Sequence, residues 1–128
     1  MKIGVVGCAG RMGRMVVAEV TATAGCELAG GTEQPDSPHL GQDVGAVAGV
    51  DAAGLVIGPD TDALFGAADA VIDFTHASAV VALAGLAARL GTVLVTGTTG
   101  LSGDEQGALA TAAKKATIVQ AANMSVGV

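Results

Sequence analysis

At 128 residues, 51% hydrophobic and 14% charged, the chain has the composition of one folded domain with a single core, far from the disordered class. A net charge of −6 with only six Lys and Arg residues excludes the basic stripe that phosphate neutralisation on nucleic acid requires. Phe65 and Phe74 are the only aromatics, too few for a base-stacking platform, so the core must be built from Ala, Val, Leu and Ile.

Lys2–Val6 is a short β-branched run ending at glycine and reads as a buried strand. Its continuation to Cys8 has the outline of a lipoprotein cleavage site, but about five apolar residues fall short of the roughly 7–15 of a signal peptide. From Arg11 to about Ala24 the period becomes helical, with Met12, Val16 and Val20 on one face, Val17 and Ala24 beside it, and Gly25 as the stop. Cys26–Gly31 is a second strand and closes a β-α-β unit. Gln34–Asp51, rich in Gly, Pro and Asp, is expected to be a surface excursion in place of a crossover helix, followed by a short edge strand at Leu55–Ile57. Asp60 can cap a helix over Thr61–Ala67. Then come a strand at Ala70–Phe74, a helix at Ala77–Leu90 with Gly91 as C-cap, a strand at Thr92–Thr96, a helix at Asp104–Lys115 and a strand at Thr117–Gln120. Such alternation predicts an α/β fold, a doubly wound parallel sheet with helices on both faces.

Ala77–Leu90, the longest apolar stretch, is shorter than the roughly 18 residues of a membrane helix and carries Arg89, so a soluble cytoplasmic protein without a membrane or nucleic-acid partner is expected. Cys8 and Cys26 read as small apolar residues in a reducing compartment, and their spacings with His39 and His76 match no metal-ligand pair.

The first strand-to-helix bend is Gly7-Cys8-Ala9-Gly10-Arg11-Met12-Gly13. In open α/β sheets this is where a dinucleotide pyrophosphate sits, on the helix N-terminus and its partial positive charge. Gly7 allows the tight turn, Gly10 the close approach of phosphate, and Gly13 the packing of helix on sheet, although the spacing is G-x-x-G-x-x-G and not G-x-G-x-x-G. Glu33 lies 20 residues beyond Gly13, where an acid can accept the adenosine ribose hydroxyls and would repel a 2′-phosphate. Gln34 follows, and no Lys or Arg occurs between Arg14 and Arg89, so NADH is the preferred coenzyme and NADPH the alternative.

Asp73-Phe74-Thr75-His76 leaves a strand at the same edge; Asp73 either faces the cleft or caps a buried helix, and His76, without an acidic or nucleophilic neighbour in sequence, is given no catalytic role. Gly97-Thr98-Thr99-Gly100 offers amides and hydroxyls suited to a ribose or a carboxylate, and Asn123 in Ala121-Ala122-Asn123-Met124-Ser125 could hold a nicotinamide ribose or carboxamide.

Four ordered motifs, Gly10-Arg11-Met12-Gly13-Arg14, Asp73-Phe74-Thr75, Gly97-Thr98-Thr99-Gly100 and Asn123-Met124-Ser125-Val126-Gly127-Val128, together resemble the dihydrodipicolinate (4-hydroxy-tetrahydrodipicolinate) reductase family over the whole chain. The resemblance implies a Rossmann-like cofactor domain over residues 1–128 and NAD(P)H-dependent hydride delivery to C4 of the cyclic imine derived from 4-hydroxy-tetrahydrodipicolinate, in lysine and diaminopimelate biosynthesis. It assigns Gly7, Cys8, Ala9, Gly10, Arg11 and Met12 to the pyrophosphate, Glu33 to the adenosine ribose, and Gly97, Thr98 and Thr99 to the nicotinamide ribose. Thr99 would also meet a substrate carboxylate, Thr75 would border the cofactor, and Ala121, Ala122, Asn123 and Met124 would flank the nicotinamide. Many relatives carry Arg where this chain has Gln34. The family's second domain, which carries its His-His-x-x-x-Lys segment and builds its homotetramer, has no counterpart in residues 1–128, so a truncation before that domain is expected, with cofactor binding but no catalytic residue and no turnover in this chain. A different NAD-linked dehydrogenase and a non-catalytic NAD-sensing module are the competing readings.

Overall fold

The computed structural model describes residues 1–98 and 100–120. Five parallel strands, β1 (Lys2–Val6), β2 (Glu27–Thr32), β3 (Ala70–Asp73), β4 (Val93–Thr96) and β5 (Ile118–Gln120), form one sheet in the order β2-β1-β3-β4-β5. The helices are α1 (Arg11–Ala22), α2 (Val44–Val47), α3 (Thr61–Ala67), α4 (Ala77–Leu90) and α5 (Gly103–Ala112). The doubly wound α/β sheet expected from the alternation is present.

The two faces of β1 follow from its period of two. Val5 turns into a cluster with Cys8, Val17 of α1, Val44 of α2 and Ile57. Val6 turns the other way, into a larger cluster with Phe65 of α3, Val80, Leu83 and Ala87 of α4, Leu109 of α5, and Val71 and Leu94 of the neighbouring strands. On this second face Gly4 and Gly30 are register partners across β1 and β2, and Leu64 fills the space above them: a Cβ on Gly4 would lie 2.7 Å from Leu64 Cδ1. Glycine here brings α3 down onto the backbone of the sheet.

Element boundaries depart from the sequence expectation where side chains compete for backbone groups. Helix α1 stops at Ala22, not at Gly25, because the Thr23 hydroxyl donates to Glu19 O at 2.7 Å and the Thr23 N–H to Val20 O. Gly25 (φ 86°) then makes the turn, and Ala24 is exposed instead of joining the buried face. Strand β3 ends at Asp73 since the Asp73 carboxylate, not a neighbouring strand, takes the N–H of Thr75. Helix α5 opens with a capping box between Ser102 and Glu105 and ends at Ala112, after which Lys114 and Lys115 make only three-residue turn bonds to Thr111 and Ala112.

The 34–51 excursion is more ordered than its composition announced. Asp43 caps α2 through Ala46 N–H and also accepts from the N–H groups of Ala53, Gly54 and Leu55, all at 2.8–3.2 Å. These bonds hold its carboxyl below the usual carboxylate range. The expected edge strand at Leu55–Ile57 is instead a pair of isolated bridges, Asp43 with Val56 and Thr32 with Gly58.

Candidate functional site

The order β2-β1-β3 puts a topological switch at β1: the chain leaves β1 over one face through α1 and continues from β3 over the other through α4. The carboxyl ends of β1 and β3 therefore diverge into a crevice, the usual ligand position in open α/β sheets. A cleft of about 350 Å³ lies there, its walls including Gly7, Gly10, Glu33, Gln34, Thr75 and His76.

The bend after β1 is held by its own backbone. Gly7 (φ 76°) turns the chain, its N–H and that of Cys8 both donate to Thr32 O at 3.0 and 3.2 Å, and Gly10 N–H closes on Gly7 O at 3.1 Å. The peptide units flanking Ala9 are tied on both sides, with its N–H donating to Glu33 Oε2 at 2.9 Å and its carbonyl accepting from Arg14 Nε at 2.7 Å. Four amides of the bend thus already have protein acceptors. The next three, on Arg11, Met12 and Gly13, open α1 and have no intrahelical acceptor; Gly10 as N-cap offers no side-chain bond, and no protein acceptor reaches them among the described residues. These three N–H groups and the α1 dipole are the anion-seeking element of the site.

Gly13 permits the close approach of α1 to this bend: a Cβ there would collide with Gly7 O and lie 2.8 Å from Cys8 Cα. Cys8 belongs to the bend only through its backbone. Its side chain is buried, directed to Gly31, where an added Cβ would come within 2.7 Å of Cys8 Sγ. Burial first, then the nearby Glu33 charge, pushes this thiol from 9.0 up to about 12, so it stays protonated and inert at neutral pH.

Asp73 occupies the centre of the strand ends. It is fully buried and neither caps a helix nor faces the cleft; the N-cap of α4 is His76, whose side chain makes no capping bond. Its Oδ1 accepts from the N–H and hydroxyl of Thr75, and its Oδ2 from the hydroxyls of Thr96 (2.9 Å) and Thr98 (3.1 Å). Gly97 N–H adds a bond to Asp73 O at 2.9 Å, and a Cβ on Gly97 would run into the Phe74 ring. One carboxylate therefore couples the loop after β3 to the loop after β4. Thr75 and Thr98 are brought together, with both hydroxyls engaged by Asp73. The signal was the run of hydroxyls at Thr75, Thr96 and Thr98 beside one acid at a strand end.

Thr99, Ala121, Ala122, Asn123 and Met124 lie outside the described residues. Among the described residues no group of three or more His, Cys, Asp or Glu is arranged for a metal, and no helix is long and apolar enough to cross a membrane.

Fold and cleft define an α/β domain of the Rossmann type, with its binding crevice at the switch of strand order. The profile of the family described as "Dihydrodipicolinate reductase, N-terminus" matches residues 1–124. The chain belongs to this family. It is 44% identical, over all its 128 residues, to 4-hydroxy-tetrahydrodipicolinate reductase 1 of Mesorhizobium japonicum, of which it covers 47%. The chain spans about half the length of the curated relatives it matches. Among solved structures it is similar in fold to the dipicolinate-bound dihydrodipicolinate reductase of Paenisporosarcina (TM-score 0.67, 20% identity, covering 88% of this chain and 43% of that one). It is likewise similar in fold to an amine dehydrogenase of Mycobacterium smegmatis (TM-score 0.75, 21% identity, covering 92% and 38%).

Proposed function

We propose that residues 1–128 bind a nicotinamide dinucleotide as the cofactor half of a 4-hydroxy-tetrahydrodipicolinate reductase acting in lysine and diaminopimelate biosynthesis in the cytoplasm. The observation that carries this reading is the trio of unpartnered N–H groups on Arg11, Met12 and Gly13 opening a 12-residue helix beside the switch-point cleft. The residues present fit the group: a Cβ on Gly10 would meet nothing closer than Gly7 O at 3.4 Å, so the bend leaves room for a phosphate against its backbone.

In this reading Arg11, Met12 and Gly13 hold the pyrophosphate, and Gly7, Cys8, Ala9 and Gly10 shape the bend that presents it. Glu33, with Oε2 tied to Ala9, keeps Oε1 for the ribose hydroxyls. Among the described residues the cleft lining carries Glu33 and Gln34 but no Lys or Arg, which favours NADH over NADPH. Asp73 orients the β4 loop so that Gly97 and Thr98, whose N–H groups are bonded to Asp73 O and the Thr96 hydroxyl, offer their carbonyls to the nicotinamide ribose. The family resemblance assigns Thr99 to a substrate carboxylate and Ala121, Ala122, Asn123 and Met124 to the nicotinamide. A bound nicotinamide dinucleotide would supply hydride for C4 of the cyclic imine. Proton delivery and the substrate clamp are assigned to the relatives' second half, as is assembly into a homotetramer.

The test is calorimetric titration of this chain with NADH and with NADPH. Saturable binding, tighter for NADH, is expected, with steady NADH absorbance when the substrate is added. Absence of saturable binding by either coenzyme overturns the reading; equal or better NADPH affinity overturns the role given to Glu33 and Gln34.

A further inference from the structure

Thr32 is the last residue of β2 and is 4% exposed, yet its hydroxyl has no hydrogen-bond partner among the described residues. It is the one such buried side-chain atom among them. Its carbonyl accepts from both Gly7 and Cys8, which fixes the residue beneath the bend. Thr32 lines the switch-point cleft next to Glu33. It also borders a second cavity of about 230 Å³ lined mainly by apolar groups, among them Leu55, Val56, Ala63, Leu64 and Ala67. The one charged side chain on its wall, Asp60, accepts from Ala63 N–H as the cap of α3 and makes no bond to Thr32. Buried hydroxyls are normally satisfied, because leaving one dry forfeits its hydration without return. That mostly apolar cavity, whose single carboxylate is committed to capping α3, leaves this one unsatisfied. The cleft, by contrast, is where a polar ligand arrives.

We infer that the Thr32 hydroxyl is a specificity-determining contact for the adenosine half of the dinucleotide, acting beside the Glu33 carboxylate. This rests on the cofactor reading above and adds a residue to it. In an extended segment consecutive side chains leave opposite faces, and Glu33 is drawn to Ala9 on the α1 side. A Cβ on Gly30, two residues before Thr32, meets Leu64 of α3, which puts Thr32 on the α3 side. The pair would thus hold the adenosine from two directions, the carboxylate accepting from ribose hydroxyls and the hydroxyl answering a polar atom on the other flank.

The experiment compares the wild-type chain with Thr32→Val, which keeps the β-branched shape, and Thr32→Ser, which keeps the hydroxyl. Thermal unfolding without ligand is measured first, then calorimetric titration with NADH and with ADP-ribose. Expected are a Tm for Thr32→Val equal to or above wild type, about tenfold weaker binding of both ligands by Thr32→Val, and affinities within about twofold of wild type for Thr32→Ser. Wild-type affinity in Thr32→Val overturns the inference while leaving the cofactor reading intact. So does a weakening seen with NADH but not ADP-ribose, or a fall in Tm that accompanies the lost affinity, which makes the hydroxyl structural. A wild-type chain that binds neither ligand removes the cofactor reading and this inference together.

Discussion

Replacing Gly13 and Gly10 by alanine separates what the bend needs in order to fold from what it needs in order to bind. At Gly13 the new methyl would collide with Gly7 O and stand 2.8 Å from both Cys8 Cα and Gly7 C, all backbone atoms that no rotamer change can clear. Helix α1 must then back away from the bend, an overpacking cost of about 1–3 kcal/mol, or a Tm lower by roughly 4–12 °C in a domain of this size. At Gly10 the backbone (φ −73°, ψ 171°) already suits any L-residue, and the nearest contact, Gly7 O at 3.4 Å, is ordinary. Alanine there gains about 0.4–1 kcal/mol by restricting the unfolded chain and loses a similar amount as a poorer N-cap, so Tm should stay within about 3 °C of wild type. Its methyl would nevertheless occupy the approach to the free amides of α1, and NADH affinity should fall by at least about tenfold. Thermal unfolding by circular dichroism and calorimetric titration read the two effects apart. An unchanged Tm for Gly13→Ala, or full NADH affinity in Gly10→Ala, would refute the geometry assigned to the bend.

Three further outcomes follow from other side chains. Asp73→Ala leaves the hydroxyls of Thr75, Thr96 and Thr98 without their shared acceptor, and a loss of about 3 kcal/mol is expected in denaturant unfolding; a loss below about 1 kcal/mol would contradict the hub. Cys8 should resist a thiol reagent at neutral pH in the native chain and react on unfolding, while the half-buried Cys26 labels first; its raised pKa also adds stability that is complete below pH 9 and disappears between there and about 12, visible as a falling Tm in alkali. For Asp43 the shift has the opposite sign: its depressed pKa contributes stability present above the ordinary Asp range and lost as acid protonates it. Protection of the Ala46, Ala53 and Gly54 amides, taken relative to their intrinsic exchange rates at each pH, should therefore fall in acid, and Asp43→Asn should remove that dependence.

What could be read from the sequence was whatever repeats along the chain. The five strands and four longer helices announced themselves by period, and the glycines at 7, 10 and 13 by their place between strand and helix. The features that escaped are pairings between distant residues. Asp43 gathers amides ten to twelve positions away, which no local pattern announces, so the 34–51 segment read as formless. Asp73 was open between a cleft group and a helix cap because its partners Thr96 and Thr98 sit at the end of another strand and in the loop that follows it. The division of labour within the bend was hidden too: which amides are consumed depends on Thr32 O and Glu33 Oε2, brought there by the β2 register.

Nuclear magnetic resonance of the nitrogen-labelled chain, titrated with NADH, reaches the central claim amide by amide. The largest shifts are expected at Arg11, Met12 and Gly13, with smaller ones at Gly7 and Cys8, whose N–H groups are already bound to Thr32 O. Binding that leaves those three helix-opening amides unmoved would contradict that claim.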